Sequence, residues 1–239
     1  MDVKLQWKLL LPLSGVLLLL WIWSPIRRGH AVLAPVRMEG YTLVIDAGHG
    51  GEDGGAVSAA GTVESHINLS VAQRLHALLD FCGVDSVLLR EDDRSLHDSS
   101  AQTLREKKVS DLHNRAAMVE KTKNALFISI HQNTYPGPGC RGTQTFFGRH
   151  PEGERLAQTI QSLVQTSLAP ENRRVPAKIP STVYLMNRIT CPAVLVECGF
   201  LSNPAEDALL QTPEYQTKLA ALLTAGILTY QETEGKSPV

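Results

Sequence analysis

Apolar residues along this chain fall into short continuous blocks and into longer stretches with a three-to-four-residue repeat. Residues 41–45, 84–89, 125–130 and 192–196 are blocks of the length that suits buried strands, and residues 142–147 and 183–186 read as shorter strands. Between them Ile67, Val71, Leu75, Leu78, Leu79 and Cys82 recur at helical spacing, which predicts a helix over 64–82. Residues 109–121 and 152–168 predict two more, and the polar stretch 91–108 reads as an exposed loop. Asn203-Pro204 with Glu206, and Thr212-Pro213 with Glu214, each put a capping side chain before a proline at the first helical position, so two further helices begin there. Strands alternating with helices imply an α/β fold: a mixed, largely parallel sheet flanked by helices on both faces. The chain shows neither an internal repeat nor a second domain.

The N-terminus breaks the pattern. Residues 9–26 carry no charge, with Lys4 and Lys8 before them and Arg27 and Arg28 after. Eighteen helical residues span about 27 Å, close to the thickness of a bilayer core. Residues 1–28 are therefore expected to be a signal segment or a signal-anchor. An uncleaved anchor is favoured, because arginines precede the first candidate cleavage site at Ala31 and Pro35 follows the second at Ala34. Residues 29–40 read as a linker, 41–231 as one catalytic domain on the outer side of the membrane, and 232–239 as a flexible tail.

Composition adds exclusions. The 239 residues are 43% hydrophobic and 20% charged, with a formal net charge of −1. That is an ordinary globular balance without the basic excess of a nucleic-acid binder. Cys82, Cys140, Cys191 and Cys198 form no Cys-x-x-Cys metal pattern, and their redox state stays open.

Candidate chemistry sits where strands end. Asp46-Ala-Gly-His49-Gly-Gly51 follows the first strand, Ser129-Ile-His131-Gln-Asn133 ends the third, and Val196-Glu197-Cys-Gly-Phe200 ends the last. In α/β sheets, sites form at these carboxyl ends. Two histidines with Glu64, at the start of a helix, make the three-ligand set of a catalytic zinc, which keeps one position open. Each alone has a plainer reading: a Gly-rich turn for His49, a dipole-favoured helix start for Glu64, a backbone partner for His131. Glu197, directly after a core strand, is expensive to bury unless used, and a raised pKa suits a general base. Asp46 is expected to orient His49 or to cap the loop. Arg115, Arg173 and Arg174 are candidates to grip substrate carboxylates, against simple solubility.

Together the four stretches resemble the zinc-dependent N-acetylmuramoyl-L-alanine amidases, over about residues 42–230. That family's pattern is Asp-x-Gly-His-Gly-Gly, then Gly-x-x-Glu, Ser-Ile-His-x-Asn and Val-Glu-x-Gly-Phe-x-Ser-Asn. The chain carries Asp46–Gly51, Gly61-Thr-Val-Glu64, Ser129–Asn133 and Val196–Asn203 in that order. The resemblance implies His49, Glu64 and His131 as zinc ligands and Glu197 as catalytic acid/base; Asn133 is a further candidate, to support the ligands or to bind substrate. A narrower similarity, carried by Arg105–Arg115, Gly142–Phe146, Glu171–Arg174 and Phe200–Pro204, is to the spore-cortex subgroup. Its members strip peptide from muramic acid so that muramic-δ-lactam can form. This implies peptidoglycan as partner, an export route, and an activator protein as a further partner. The rival readings are another zinc peptidase, such as a carboxypeptidase of wall peptides, or a non-catalytic wall-binding regulator.

Overall fold

A computed structural model describes residues 40–234. The segment read as a signal or anchor lies outside the described residues, as does most of the linker. Among the described residues no helix is long and apolar enough to cross a membrane.

Six strands form one sheet: β1 (Thr42–Ala47), β2 (Ser86–Leu88), β3 (Ala125–Asn133), β4 (Gln144–Phe147), β5 (Ala177–Lys178) and β6 (Ala193–Phe200). Their order is β2-β1-β3-β6-β4-β5. β2, β1, β3 and β6 run parallel, and β4 pairs antiparallel with β6. The expected mixed, largely parallel sheet is therefore present. β1, β3 and β6 end along one edge, and in the β3–β6 register His131 lies opposite Glu197.

Alternation along these strands divides the core in two. Leu43, Ile45, Leu126, Ile128, Ile130, Val194 and Val196 face one side. There they meet α1 (Glu64–Phe81), α3 (Pro151–Ser167) and α6 (Pro213–Glu234). On α6 the buried Leu219, Leu223, Ile227 and Tyr230 follow the helical repeat, and this helix packs on both α1 and α3. Val44, Phe127, Ala193 and Leu195 face the other side, under α2 (Leu104–Lys121) and the short α4 (Tyr184–Arg188). α5 (Pro204–Leu210) is capped by Asn203 Oδ1, which accepts from the Ala205 and Glu206 amides.

Three local expectations are corrected. The stretch 91–108 is not loop throughout: α2 starts at Leu104, because Thr103 and Glu106 cap each other's amides in a capping box. Residues 183–186 belong to helix α4 and its cap, not to a strand; an apolar run that short has no distinguishing period. α6 also continues to Glu234, three residues into the segment read as tail.

Candidate metal centre

After β1 the chain turns through Gly48 into His49, whose φ is 62°. A residue with a side chain seldom adopts this left-handed conformation, and such outliers cluster at functional sites. Two glycines make room for the resulting packing. A Cβ on Gly48 would stand 2.2 Å from His131 Cε1, and one on Gly55 would stand 2.5 Å from Glu64 Oε2.

The turn brings three donor groups together. His49 Nε2 lies 3.4 Å from Glu64 Oε1, and His131 Nδ1 lies 3.0 Å from the same oxygen. The candidate ligand atoms of His49, Glu64 and His131 all fall within 4.8 Å of one another. Ligands of a tetrahedral zinc, at 2.0–2.1 Å from the metal, are separated by about 3.3 Å. The donor set fits that ion in chemistry, and the two distances to Glu64 Oε1 bracket that spacing. Glu64 is buried at 3% exposure and is fixed by three further donors: the amides of Ala56 (2.8 Å) and Gln132 (3.1 Å) and the Asn68 Nδ2 (3.2 Å).

Electrostatics point the same way. Burial opposes charge on His49, but contacts with Asp53 and Glu64 outweigh it and raise its pKa to about 9. Burial pushes Glu64 upward, yet both histidines hold its carboxyl well below the usual range. The cluster thus favours positive charge among its donors, which a proton or a cation can supply. Glu197 behaves in the opposite sense. Burial pushes its pKa up to about 7, only partly offset by His131, and its Oε2 is buried with no hydrogen-bond partner among the described residues. It faces a cavity of about 320 Å³ shared with His49 and His131 and walled by Leu112, Met186 and Leu195.

Beneath the cavity lies a paired ionic cluster. Arg115, 2% exposed, donates to Asp46, to both oxygens of Asp111, and to the carbonyls of Ala47 and His49. Ser129 Oγ donates to Asp46 Oδ2 at 2.6 Å. Burial opposes charge on Asp46, but Arg115 and Ser129 hold its pKa below the ordinary value. A second buried arginine, Arg90, donates to the carbonyls of Ala47 (2.8 Å), Gly48 (3.1 Å) and Ser65 (3.0 Å). Two arginines therefore hold the carbonyls of the turn that carries His49.

This arrangement changes the expected roles of the outer residues. Asp46 does not orient His49; Asp53 does, with Oδ2 3.0 Å from His49 Nδ1, which leaves Nε2 for a metal. Arg115 cannot grip a substrate, because its donors are spent on the protein and it is buried. Arg173 is exposed, bonds locally to the Pro170 carbonyl, and lines with Arg174 a second groove outside the cavity over the three candidate ligands. Asn133 closes β3, and its carbonyl accepts the Leu201 amide at 2.8 Å. Sequence reasoning passed over Asp53, Asp111 and Arg90. Asp53 carried one signal, its place four residues after His49 in the same Gly-rich loop.

The chain resembles known proteins along most of its length. The family described as N-acetylmuramoyl-L-alanine amidase matches residues 43–229. The germination-specific N-acetylmuramoyl-L-alanine amidase of Bacillus subtilis is 35% identical over 241 residues, covering the whole of both chains. Among solved structures, the CwlD amidase of Clostridioides difficile, determined in complex with the GerS lipoprotein, superposes with a TM-score of 0.77 at 34% identity. That match covers 80% of this chain and 98% of the other. An N-acetylmuramoyl-L-alanine amidase from Clostridium difficile 630 gives 0.71 at 28% identity, covering 82% and 99%.

Proposed function

Because the chain belongs to the N-acetylmuramoyl-L-alanine amidase family, we propose that His49, Glu64 and His131 hold a zinc ion and that Glu197 is the catalytic acid/base. The reaction is hydrolysis of the amide between the lactyl carbonyl of N-acetylmuramic acid and the L-alanine nitrogen of peptidoglycan. The observation that carries the residue assignment is the unpartnered Glu197 Oε2, buried at a strand end beside His131 and facing the cavity of the three-ligand set.

A zinc ion bound there would polarise the scissile carbonyl and acidify a water molecule. The chain's own residues supply the rest. Asp53 fixes the ring orientation of His49 through Nδ1. Arg115 and Arg90 clamp the turn that carries it. Glu197, its pKa near 7, takes the proton from the attacking water and passes it to the departing amine. The apolar wall of Leu112, Met186 and Leu195 limits bulk water around that transfer.

The full-length likeness to a germination-specific amidase supports a place in cortex maturation, with peptide removal preceding muramic-δ-lactam formation. Action then takes place outside the cytoplasm of a sporulating cell, with residues 1–28 serving as export signal or anchor. The lipoprotein complex of the similar amidase supports an accessory protein as a partner here as well. The segment 91–108 is proposed as a wall of the glycan groove, since Asp93 accepts from the Gly51 amide and Lys108 pairs with Asp53.

The test is digestion of purified peptidoglycan by the full chain, with and without zinc, read by mass spectrometry. Peptides with a free L-alanine amine, beside peptide-free muramic acid, are expected with zinc and absent from Glu197→Ala. Cleavage within the stem peptide alone would establish a wall peptidase instead. Bound zinc without any cleavage, even after an accessory lipoprotein is added, would favour the non-catalytic reading.

A further inference from the structure

The cavity over the metal centre holds the scissile bond, but Arg115 and Arg90 are consumed by the scaffold. Lys108, also on the cavity wall, pairs with Asp53, so a free cation for the acidic stem peptide has to lie farther along the same sheet edge. Arg174 meets that requirement. Its Nη1 donates to Gln144 Oε1 at 3.0 Å and its Nε to the Arg141 carbonyl at 2.8 Å, and its Cζ sits 4.5 Å over the Phe200 ring. All three partners are neutral, and among the described residues no carboxylate forms an ion pair with it. The charge is held in place by neutral partners and is in no ion pair among these residues, with Glu171 and Glu206 elsewhere in the same groove.

Two links tie this guanidinium to the reacting end of the sheet. Gln144 is the β4 residue paired with Glu197 across the antiparallel ladder. Its amide nitrogen also donates to the Val175 carbonyl at 3.1 Å, so segment 174–175 is latched beside the catalytic strand. Phe200 lies beyond Glu197 on β6 across a bulge, where three residues of β6 match two of β3, so the advance along the sheet is about 7 Å. The backbone is held from behind as well. Asn172 Oδ1 accepts the Arg174 amide at 3.0 Å, and Gln165 Nε2 donates to the Arg174 carbonyl at 2.8 Å. The groove that Arg174 lines, with Arg141 and Arg173, measures about 610 Å³ and also contains Glu171 and Glu206. Glu206 is occupied: its two oxygens accept the amides of Gly142 and Phe200.

We propose that Arg174 binds a free carboxylate on the stem peptide, in the second or third residue after the scissile bond, and so sets a preference for acidic over amidated peptides. The inference rests on the amidase reading. An extended peptide advances at most about 3.5 Å per residue, so two or three residues cover the stretch of β6 from Glu197 to Phe200, over whose ring the guanidinium sits. Only the peptide half of the substrate offers this partner, because the muramic acid carboxyl is itself tied up in the amide. A planar arginine fork suits a carboxylate, and neutral neighbours leave its charge for the ligand.

The experiment uses the full chain with zinc on two glycan-strand preparations, one with free stem-peptide carboxylates and one with those carboxylates converted to amides. The acidic strands are expected to have a kcat/KM about 10- to 100-fold higher, carried by KM. In Arg174→Gln and Arg174→Met that ratio falls close to one, and Arg174→Lys recovers part of it. An undiminished ratio in Arg174→Gln, or no preference in the wild type, overturns the inference. So does a drop in kcat on both strands alike accompanied by a lower Tm, which marks Arg174 as a structural brace. If the wild type cleaves neither preparation even with an accessory lipoprotein added, the amidase reading has failed. Calorimetric titration with free acidic and amidated stem peptides then still decides whether Arg174 binds a carboxylate.

Discussion

Asp46 and Glu197 sit near strand ends on the same side of one sheet, line one cavity, and are treated oppositely by their surroundings. Asp46 is surrounded by donors, with Arg115 and Ser129 on its two oxygens. Glu197 has one buried oxygen with none. The first carboxyl is driven to stay charged and the second is driven toward the proton. The lesson is that burial alone assigns no role. A buried carboxylate with a full set of partners reads as scaffold, and one with an empty lone pair beside a candidate metal trio is the one we propose for the chemistry.

The sharpest way to break that contrast is to remove each partner in turn. Glu197→Ala is expected to lose about 10²- to 10⁴-fold in kcat while zinc content stays at wild-type level, measured by peptidoglycan digestion with metal analysis. Retained activity would transfer the acid/base role elsewhere. Arg115→Met removes a cation and leaves Asp46 and Asp111 buried together, so stability should fall by about 3–5 kcal/mol in denaturant unfolding. Asp53→Asn leaves the fold intact but weakens the hold on His49, and zinc affinity should drop about 10- to 100-fold by competition with a chelator.

The smallest effect concerns pH, and its sign separates the two carboxyls. Glu197 rises from an ordinary 4.5 to about 7 on folding. The stability it contributes is therefore present below about pH 4.5 and lost as pH rises through 7. Metal-free Glu197→Gln should be more stable than wild type by about 1–2 kcal/mol at pH 8, allowing for partial exposure, and equal to it near pH 4. Asp46 has the opposite slope: its contribution is present above its ordinary 3.8 and lost as pH falls through its depressed value. Thermal unfolding across pH, with each variant, reads both.

Much of this was legible in the chain. The four strand ends and helix starts that carry His49, Glu64, His131 and Glu197 announced themselves because apolar runs stop at polar residues there. The outer residues were not legible for a physical reason. Arg90 and Arg115 look like surface arginines in one dimension: their carbonyl acceptors lie 42 and 68 residues away, and the one local partner, Asp111 four residues before Arg115, reads as an ordinary exposed helix pair. The start of α2 could have been found. Thr103-Leu-Arg-Glu106 is a capping-box spacing, hidden by the polarity of the segment before it.

The contacts of Glu64 have a consequence for how mutants are interpreted. One carboxylate serves as a candidate ligand and as the acceptor for Ala56 and Gln132 amides and the Asn68 side chain. An alanine there deletes a metal donor and unties the Gly-rich loop from β3 in the same stroke. Genetic loss of function at position 64 therefore cannot serve as proof of ligation. His131 and His49, which anchor less of the backbone, are the positions at which a phenotype speaks for the metal.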